Sequence, residues 1–521
     1  MGLSASFAFL IFLASGVVAN DLGTTHPSPR PLTLGLFSTP EVQEPISLET
    51  SGTIPTWVSG SLYRGAAGSW GAGNYTTEHW FDGFSRNHRF EISNGRVEYR
   101  NRNASDEIRD FVQDTGLYPG GSFAGDPCKV IFGAFETTWR DGTRLVGNKS
   151  SGIVSVAYIA NFPGLNINST NHGPFVTLVS TTDGNALQQI DPVTLEPIEL
   201  FTYQASNPEL TDGVRSAAHP AHGSRGQMYN YVLDLTTDPP QYRVFEIDAR
   251  GAGRIMATIS DAPPAYIHSL FSTENYLILI VWQADIGPTK KPTYNLLDTF
   301  KPWNSTRETL FYVIHKATGR VTAKYTTETF FAFHQVNSFE DKETGSIIID
   351  IPTMPTYEFL EATRLENLRT YVGLANDSAT HDIPGTFRRY RLPDYAHTNC
   401  PIMTRSAVLE FEIEHKVGNI ELPRINQAYY GKAYQYAYGV HIEKPGYFAD
   451  SIVKIDTKNQ TAKIWTPETN HMPSEPIFVA HPNATAEDDG VLVTIALDAE
   501  QQLSSLIIID AISMEELGRA K

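Results

Sequence analysis

The chain has 521 residues, of which 41% are apolar, 11% aromatic and only 19% charged, a composition that excludes a disordered protein and calls for a large buried core. Forty Lys and Arg against 58 Asp and Glu leave a formal charge of −18, which argues against nucleic acid as a partner and against a general basic field toward an anionic membrane. Two cysteines, Cys128 and Cys400, exclude a disulfide framework and a cysteine-ligated zinc or iron–sulfur centre, so the 15 histidines become the metal candidates.

The first element is the uncharged apolar run FAFLIFLASGVVA at 7–19. It ends in Val17, Val18 and Ala19 ahead of Asn20, as the core and cleavage site of a signal peptide do, although MGLSAS supplies no positive charge before it. The run is too short to span a bilayer comfortably, and no later segment approaches that length. Residues 1–19 are therefore expected to form a secretory signal or a membrane-anchoring segment, and 20–40, rich in Pro, Thr and Ser, a flexible lead-in. Eight N-x-[ST] sequons, at Asn74, Asn103, Asn148, Asn168, Asn304, Asn376, Asn459 and Asn483, lean the same way, toward the ER lumen or the cell exterior and a glycoprotein. An intracellular protein peripheral to a membrane is the alternative.

From residue 41 onward, β-branched and aromatic runs alternate with clusters of Gly, Pro, Asp and Asn. HRFEI, YVLDL (231–235), YLILIVW (276–282), GSIIIDI (345–351), VLVTIAL (491–497) and SLIIIDA (505–511) read as strands. Helical periodicity is confined to 357–371 and 513–521. The strand-plus-turn phrases IDPVTLE, FEIDARG, VIHKATG and VKIDTKN recur along the chain, as propeller blades do without a strict repeat. No linker interrupts 41–521, which is expected to be one all-β domain.

His79, His219, His268 and His334 stand in apolar or strand-like surroundings. The last three are too far apart for a helical pair or a compact zinc motif, and would suit one ligand per blade converging on an axis. Imidazole nitrogens suit iron, copper, zinc and nickel, and carboxylates accepting the other ring N–H would orient them. A satisfied core histidine is the competing reading at each position.

Taken together, the phrases GSLYRG, HWFDG, DPCKVIFG, AHP, HS with TENY, FHQVNSFED, IELPRIN with YAYG, and SEPIFVAHP with EDDG resemble the animal and fungal branch of the carotenoid cleavage oxygenase family, in family order and over nearly the whole chain. The resemblance implies a seven-bladed β-propeller with a helical and loop cap over an axial Fe(II). It implies iron ligands at His219, His268 and His334, and supporting carboxylates at Glu421, Glu475 and Asp183. Asp183 stands where the family usually has glutamate, one methylene longer. The implied reaction is O2-dependent scission of a polyene double bond into two carbonyl products, with an apolar carotenoid or apocarotenoid and O2 as partners.

The family's fourth histidine lies in a Gly-Phe-His-Gly type phrase beyond a stretch comparable with ISMEELGRAK, and this chain stops at Lys521 before it. The expectation is a C-terminally truncated sequence; a three-histidine site is the alternative, and with it a propeller that binds an apolar ligand or partner without turnover. The stretch LVSTTDGN at 178–185 contains no lysine, which favours a carotenoid over the phenolic stilbenes that one branch of the family grips with Tyr and Lys. Ile131, Phe132 and Phe135 resemble the family's apolar, membrane-docking entrance, an ordinary buried strand and helix being the other reading. HWFDG is expected to be structural, with Asp82 and Gly83 in a turn.

Overall fold

A computed structural model describes residues 36, 38–119, 122–125, 130–131, 149–165, 177–211, 213–287, 295–370, 385–396, 402–442, 449–468, 471–498 and 501–521. The signal-like segment 1–19, most of the lead-in, Cys128, Cys400, Phe132, Phe135 and the sequons at Asn148, Asn168 and Asn376 lie outside the described residues.

The apolar runs become strands because β-branched and aromatic side chains pack on pleated, covered surfaces. YLILIVW forms Tyr276–Val281, with all six residues buried, the pattern of a strand covered on both faces. Strand Gln241–Ile247 instead mixes buried and half-buried positions, the pattern of a strand less covered on one face. Within Tyr276–Val281, Leu279 is fully buried. Leu279→Ala is expected to lower the free energy of unfolding by about 2–5 kcal/mol, read as a drop in the chemical-denaturation midpoint.

Three of the four recurrent strand-plus-turn phrases share one device, an aspartate that closes its own turn, whereas in VIHKATG His315 Nδ1 lies 3.1 Å from the Thr318 hydroxyl. Asp191 accepts the N–H groups of Val193 and Thr194 at 2.8 and 2.7 Å, Asp248 those of Arg250 and Ala252 at 2.9 and 3.0 Å, and Asp456 those of Lys458 and Asn459 at 3.0 Å each. Each turn reverses the chain into the next antiparallel strand, so neighbours in sequence pair as neighbours in a sheet.

The described strands form an all-β architecture of mainly antiparallel sheets with four to eight strands, plus two two-stranded ribbons. The eight-stranded sheet is two meanders joined, among the described residues, through the pairs Gly385 with Ile420 and Thr386 with Asn419. Early and late chain share one sheet, where Thr50–Gly52 pairs with Glu516–Ala520.

That pairing corrects the helix expected at 513–521. Asp510 accepts the N–H groups of Ile512 and Ser513, Met514 takes a φ of 57°, and the chain turns into strand Glu516–Ala520. Two sheet edges, Leu503–Asp510 and Thr50–Gly52, offer backbone partners on both sides, which outweighs a local helical preference. The periodicity at 357–371 yields two short helices, Glu358–Ala362 and Leu365–Thr370. A further helix, Asp106–Thr115, was not anticipated. It buries Ile108 and Val112, four residues apart, and ends at Gly116, whose φ of 70° closes the last turn. Among the described residues no helix is long and apolar enough to cross a membrane.

Candidate metal centre

His219, His268 and His334 each precede a short or inner strand of a different sheet: Ala221–His222, Phe271–Ser272 and Asn337–Asp341. Hydrogen bonds between these segments set their spacing. The His219 N–H donates to the His268 carbonyl and the Leu270 N–H to the His219 carbonyl, both at 3.2 Å. The Ser269 hydroxyl donates to the Phe333 carbonyl at 2.7 Å, and the Thr181 hydroxyl to the Ala218 carbonyl at 2.7 Å. The result is a triangle of imidazoles, every pair of ring centroids 4.9 Å apart, with one nitrogen of each ring within 4.8 Å of the others.

On two of the three rings the outer nitrogen is held by a carboxylate. His268 Nδ1 lies 2.5 Å from Asp183 Oδ1, so the shorter aspartate does reach. Tyr266 donates its hydroxyl to the other oxygen of Asp183 at 2.9 Å and itself lies 3.1 Å from His268 Nδ1. His334 Nδ1 bonds to Glu421 Oε2, which also accepts the Leu422 N–H at 2.6 Å. Glu421 is turned to this position by an irregularity in strand pairing between Glu421 and Arg424, where Leu422 adopts a left-handed φ of 49°. Such bulges re-aim side chains next to functional sites.

With Nδ1 engaged on two rings, Nε2 of His268 and His334 is left for a cation. His219 Nε2 is buried with no hydrogen-bond partner among the described residues. Burial, with His268 and His334 adding to it, pushes the His219 imidazole well below its usual range and keeps it neutral, the form that binds a metal. Three imidazole nitrogen donors backed by two carboxylates fit a divalent transition metal such as iron.

Glu475, also expected as a supporting carboxylate, meets guanidinium groups instead. Arg64 Nη1 and Arg424 Nε each donate to it at 2.6 Å, and Arg64 also reaches its carbonyl. Burial pushes this carboxyl up, but Arg424 and Arg64 outweigh burial and hold it below the usual glutamate range. Arg64 and Arg424, like Tyr266, were not singled out in the sequence; the signal was a charge inside each of the strand phrases GSLYRG and IELPRIN.

One side of the triangle is walled by aromatic rings. Phe333 stands edge-on to His268 at 5.5 Å and packs on Tyr266 and Phe359 at 6.2 and 5.2 Å. His79 is not part of the triangle. Its Nδ1 accepts the Phe81 N–H, its Nε2 bonds to the Leu360 carbonyl at 2.8 Å, and burial lowers it to about 4. His79 thus acts as a structural joint within HWFDG, and Trp80–Asp82 forms its turn. Of the expected entrance patch, only Ile131 is described, by its backbone, in strand Val130–Ile131, which pairs with Tyr118–Pro119.

Residues 36–521 match the family described as retinal pigment epithelial membrane protein. The chain is 32% identical to a carotenoid dioxygenase of Neurospora crassa, over 92% of this chain and 87% of that protein. It is 30% identical to a torulene dioxygenase of Gibberella fujikuroi, over 92% of this chain and 89% of that one. The solved structure of cobalt-substituted apocarotenoid oxygenase from Synechocystis superposes with a TM-score of 0.72 at 19% identity, covering 94% of this chain and 95% of that one. A family match that starts at residue 36 and runs through all three histidines to the last residue means that this chain belongs to the carotenoid cleavage oxygenase family.

Proposed function

We propose that the protein is a non-haem Fe(II) dioxygenase that cleaves a conjugated double bond of a carotenoid or apocarotenoid with O2, each oxygen atom ending in one of two carbonyl products. The observation that carries this is the triangle of His219, His268 and His334, backed by Asp183 and Glu421 and walled by Phe333. Iron, when bound, supplies activation of O2 beside the alkene. The chain's own residues do the rest. Asp183 and Glu421 fix the ring orientations, and the aromatic wall offers an apolar face that excludes water from the polyene. The lysine-free stretch at 178–185 supports an apolar polyene over a phenolic stilbene.

The test is iron content together with O2 uptake on torulene, β-carotene or an apocarotenal. Iron-loaded protein is expected to consume one O2 per polyene and to release aldehyde or ketone products, and to leave a phenolic stilbene intact. Bound polyene without O2 uptake would assign a binding role instead.

The architecture we infer is a single seven-bladed propeller over 41–521, its short helices and loops capping the iron site. Counting the eight-stranded sheet as two meanders leaves seven sheets, apart from the two ribbons. Each sends a residue toward the centre: Arg64, Asp183, His219, His268, His334, Glu421 and Glu475 in chain order. A secretory location is supported by exposed sequons at Asn74, Asn304, Asn459 and Asn483, whereas Asn103 is half-buried and engaged by Arg86 at 2.9 Å. Protein from a eukaryotic host is expected to lose mass on glycosidase treatment; unchanged mass would favour the intracellular, membrane-peripheral alternative. Replacing Ile131 and Phe132 by Ser is expected to weaken liposome binding if that segment is the membrane entrance.

A further inference from the structure

Asp82 is a buried carboxylate, 4% exposed, with no cation among the described residues within hydrogen-bonding reach. Its two oxygens are each used once. Oδ1 accepts the Phe123 N–H at 2.7 Å and Oδ2 the Ala124 N–H at 3.2 Å. The same four residues, 122–125, are tied on their other side by the Leu296 and Leu297 N–H groups, which donate to the carbonyls of Ser122 and Phe123 at 2.8 and 3.0 Å. The Phe123 ring is thereby placed. It stacks on His79 at 5.2 Å and 14°, meets Phe81 edge-on at 5.0 Å, and meets Tyr266 edge-on at 5.9 Å. Phe81 in turn stands edge-on to Phe333, which touches the His268 ring. Phe81 and Phe123 are among the partly buried side chains packed against the buried cluster that contains Tyr266 and Phe333.

We propose that Asp82 is a positioning residue for the polyene: by holding the N–H groups of Phe123 and Ala124 it fixes the Phe81 and Phe123 pair as the substrate-bearing end of the aromatic wall that leads to His268. The assignment rests on the carotenoid-cleavage reading. A carboxylate suits the task because two diverging N–H groups need two acceptors, whereas an amide offers one acceptor and turns its own NH2 toward the second N–H. Burial pushes this carboxyl up to about 7 against the two backbone bonds, with Glu78 adding to the rise and Arg364 opposing it. Asp82 also faces Tyr118, whose hydroxyl it helps push up. Protonation removes one acceptor, so the wall loosens as pH falls through about 7. His79, at about 4, does not titrate in that window.

The test compares Asp82→Asn, Phe123→Leu and the double variant with the full wild-type chain. It reads bound iron, the dissociation constant of an apocarotenal by quenching of protein fluorescence, and steady-state KM and kcat. Expected are unchanged iron content, affinity and KM weakened about tenfold in each single variant with kcat falling far less, and a double variant no worse than either single, since both act through one ring. KM should rise below about pH 7 in the wild type and lose that inflection in Asp82→Asn. Unchanged affinity in Phe123→Leu, which leaves the two bonds to Asp82 in place, would overturn the proposal even if Asp82→Asn failed to fold. So would effects that multiply in the double variant, or a wild type that binds no apocarotenal. A wild type that binds it without consuming O2 sinks the cleavage reading alone, and the affinities still decide the role of Asp82.

Discussion

His268→Ala is expected to leave the purified protein without iron and without carotenoid cleavage. His268 is 5% exposed, and its ring is fixed on three sides by Asp183, Tyr266 and Phe333. Alanine removes one of three donors and leaves Asp183 facing a cavity, so both the coordination and the local charge balance fail. Metal analysis and O2 uptake report this directly, and full iron occupancy in the variant would exclude His268 as a ligand. Removing the support rather than the ligand has a graded effect. Asp183→Ala keeps the imidazole but frees its rotation, and metal affinity is expected to fall about 10–100-fold. Tyr266→Phe leaves the carboxylate in contact with Nδ1 and costs less.

Glu475→Leu is expected to destabilise the fold by about 3 kcal/mol, because it leaves the Arg64 and Arg424 guanidiniums facing each other without their shared counter-ion. Arg64 and Glu475 are 17% and 19% exposed, too covered for water to screen the loss fully. The sign with pH follows from the direction of the shift. The Glu475 carboxyl is held below the usual glutamate range, so its contribution is present above that range and is lost as pH falls through the lowered value. Denaturation midpoints at neutral and acid pH test both statements. The difference between wild type and Glu475→Leu should shrink in acid, and a loss under about 1 kcal/mol at neutral pH would place the pair among solvent-screened surface bridges.

The strands were legible because their signal is local. A run such as YLILIVW carries its own β-branched, apolar character, and the aspartates of IDPVTLE, FEIDARG and VKIDTKN close their turns through bonds spanning two to four residues. The end of the chain was misread for the complementary reason. ISMEELGRAK has helical character locally, but its backbone partners lie in Leu503–Asp510 and, far away in sequence, Thr50–Gly52. The helix Asp106–Thr115 carried local signals, an acidic first turn and a closing glycine, that went unread among the strand phrases.

At the site, the sequence by itself determined which residues could do metal chemistry: three histidines in strand contexts, and the carboxylates Asp183, Glu421 and Glu475 within motifs. Only the tertiary structure decided how they divide the work. Asp183 and Glu421 take the outer nitrogens of His268 and His334, while Glu475 is claimed by two arginines. The physical reason is that hydrogen bonds and ion pairs depend on distances of about 3 Å between groups hundreds of residues apart in the chain, as Arg64 and Glu475 are. Composition and periodicity report what a segment is made of, and the packing of sheet against sheet determines what it faces.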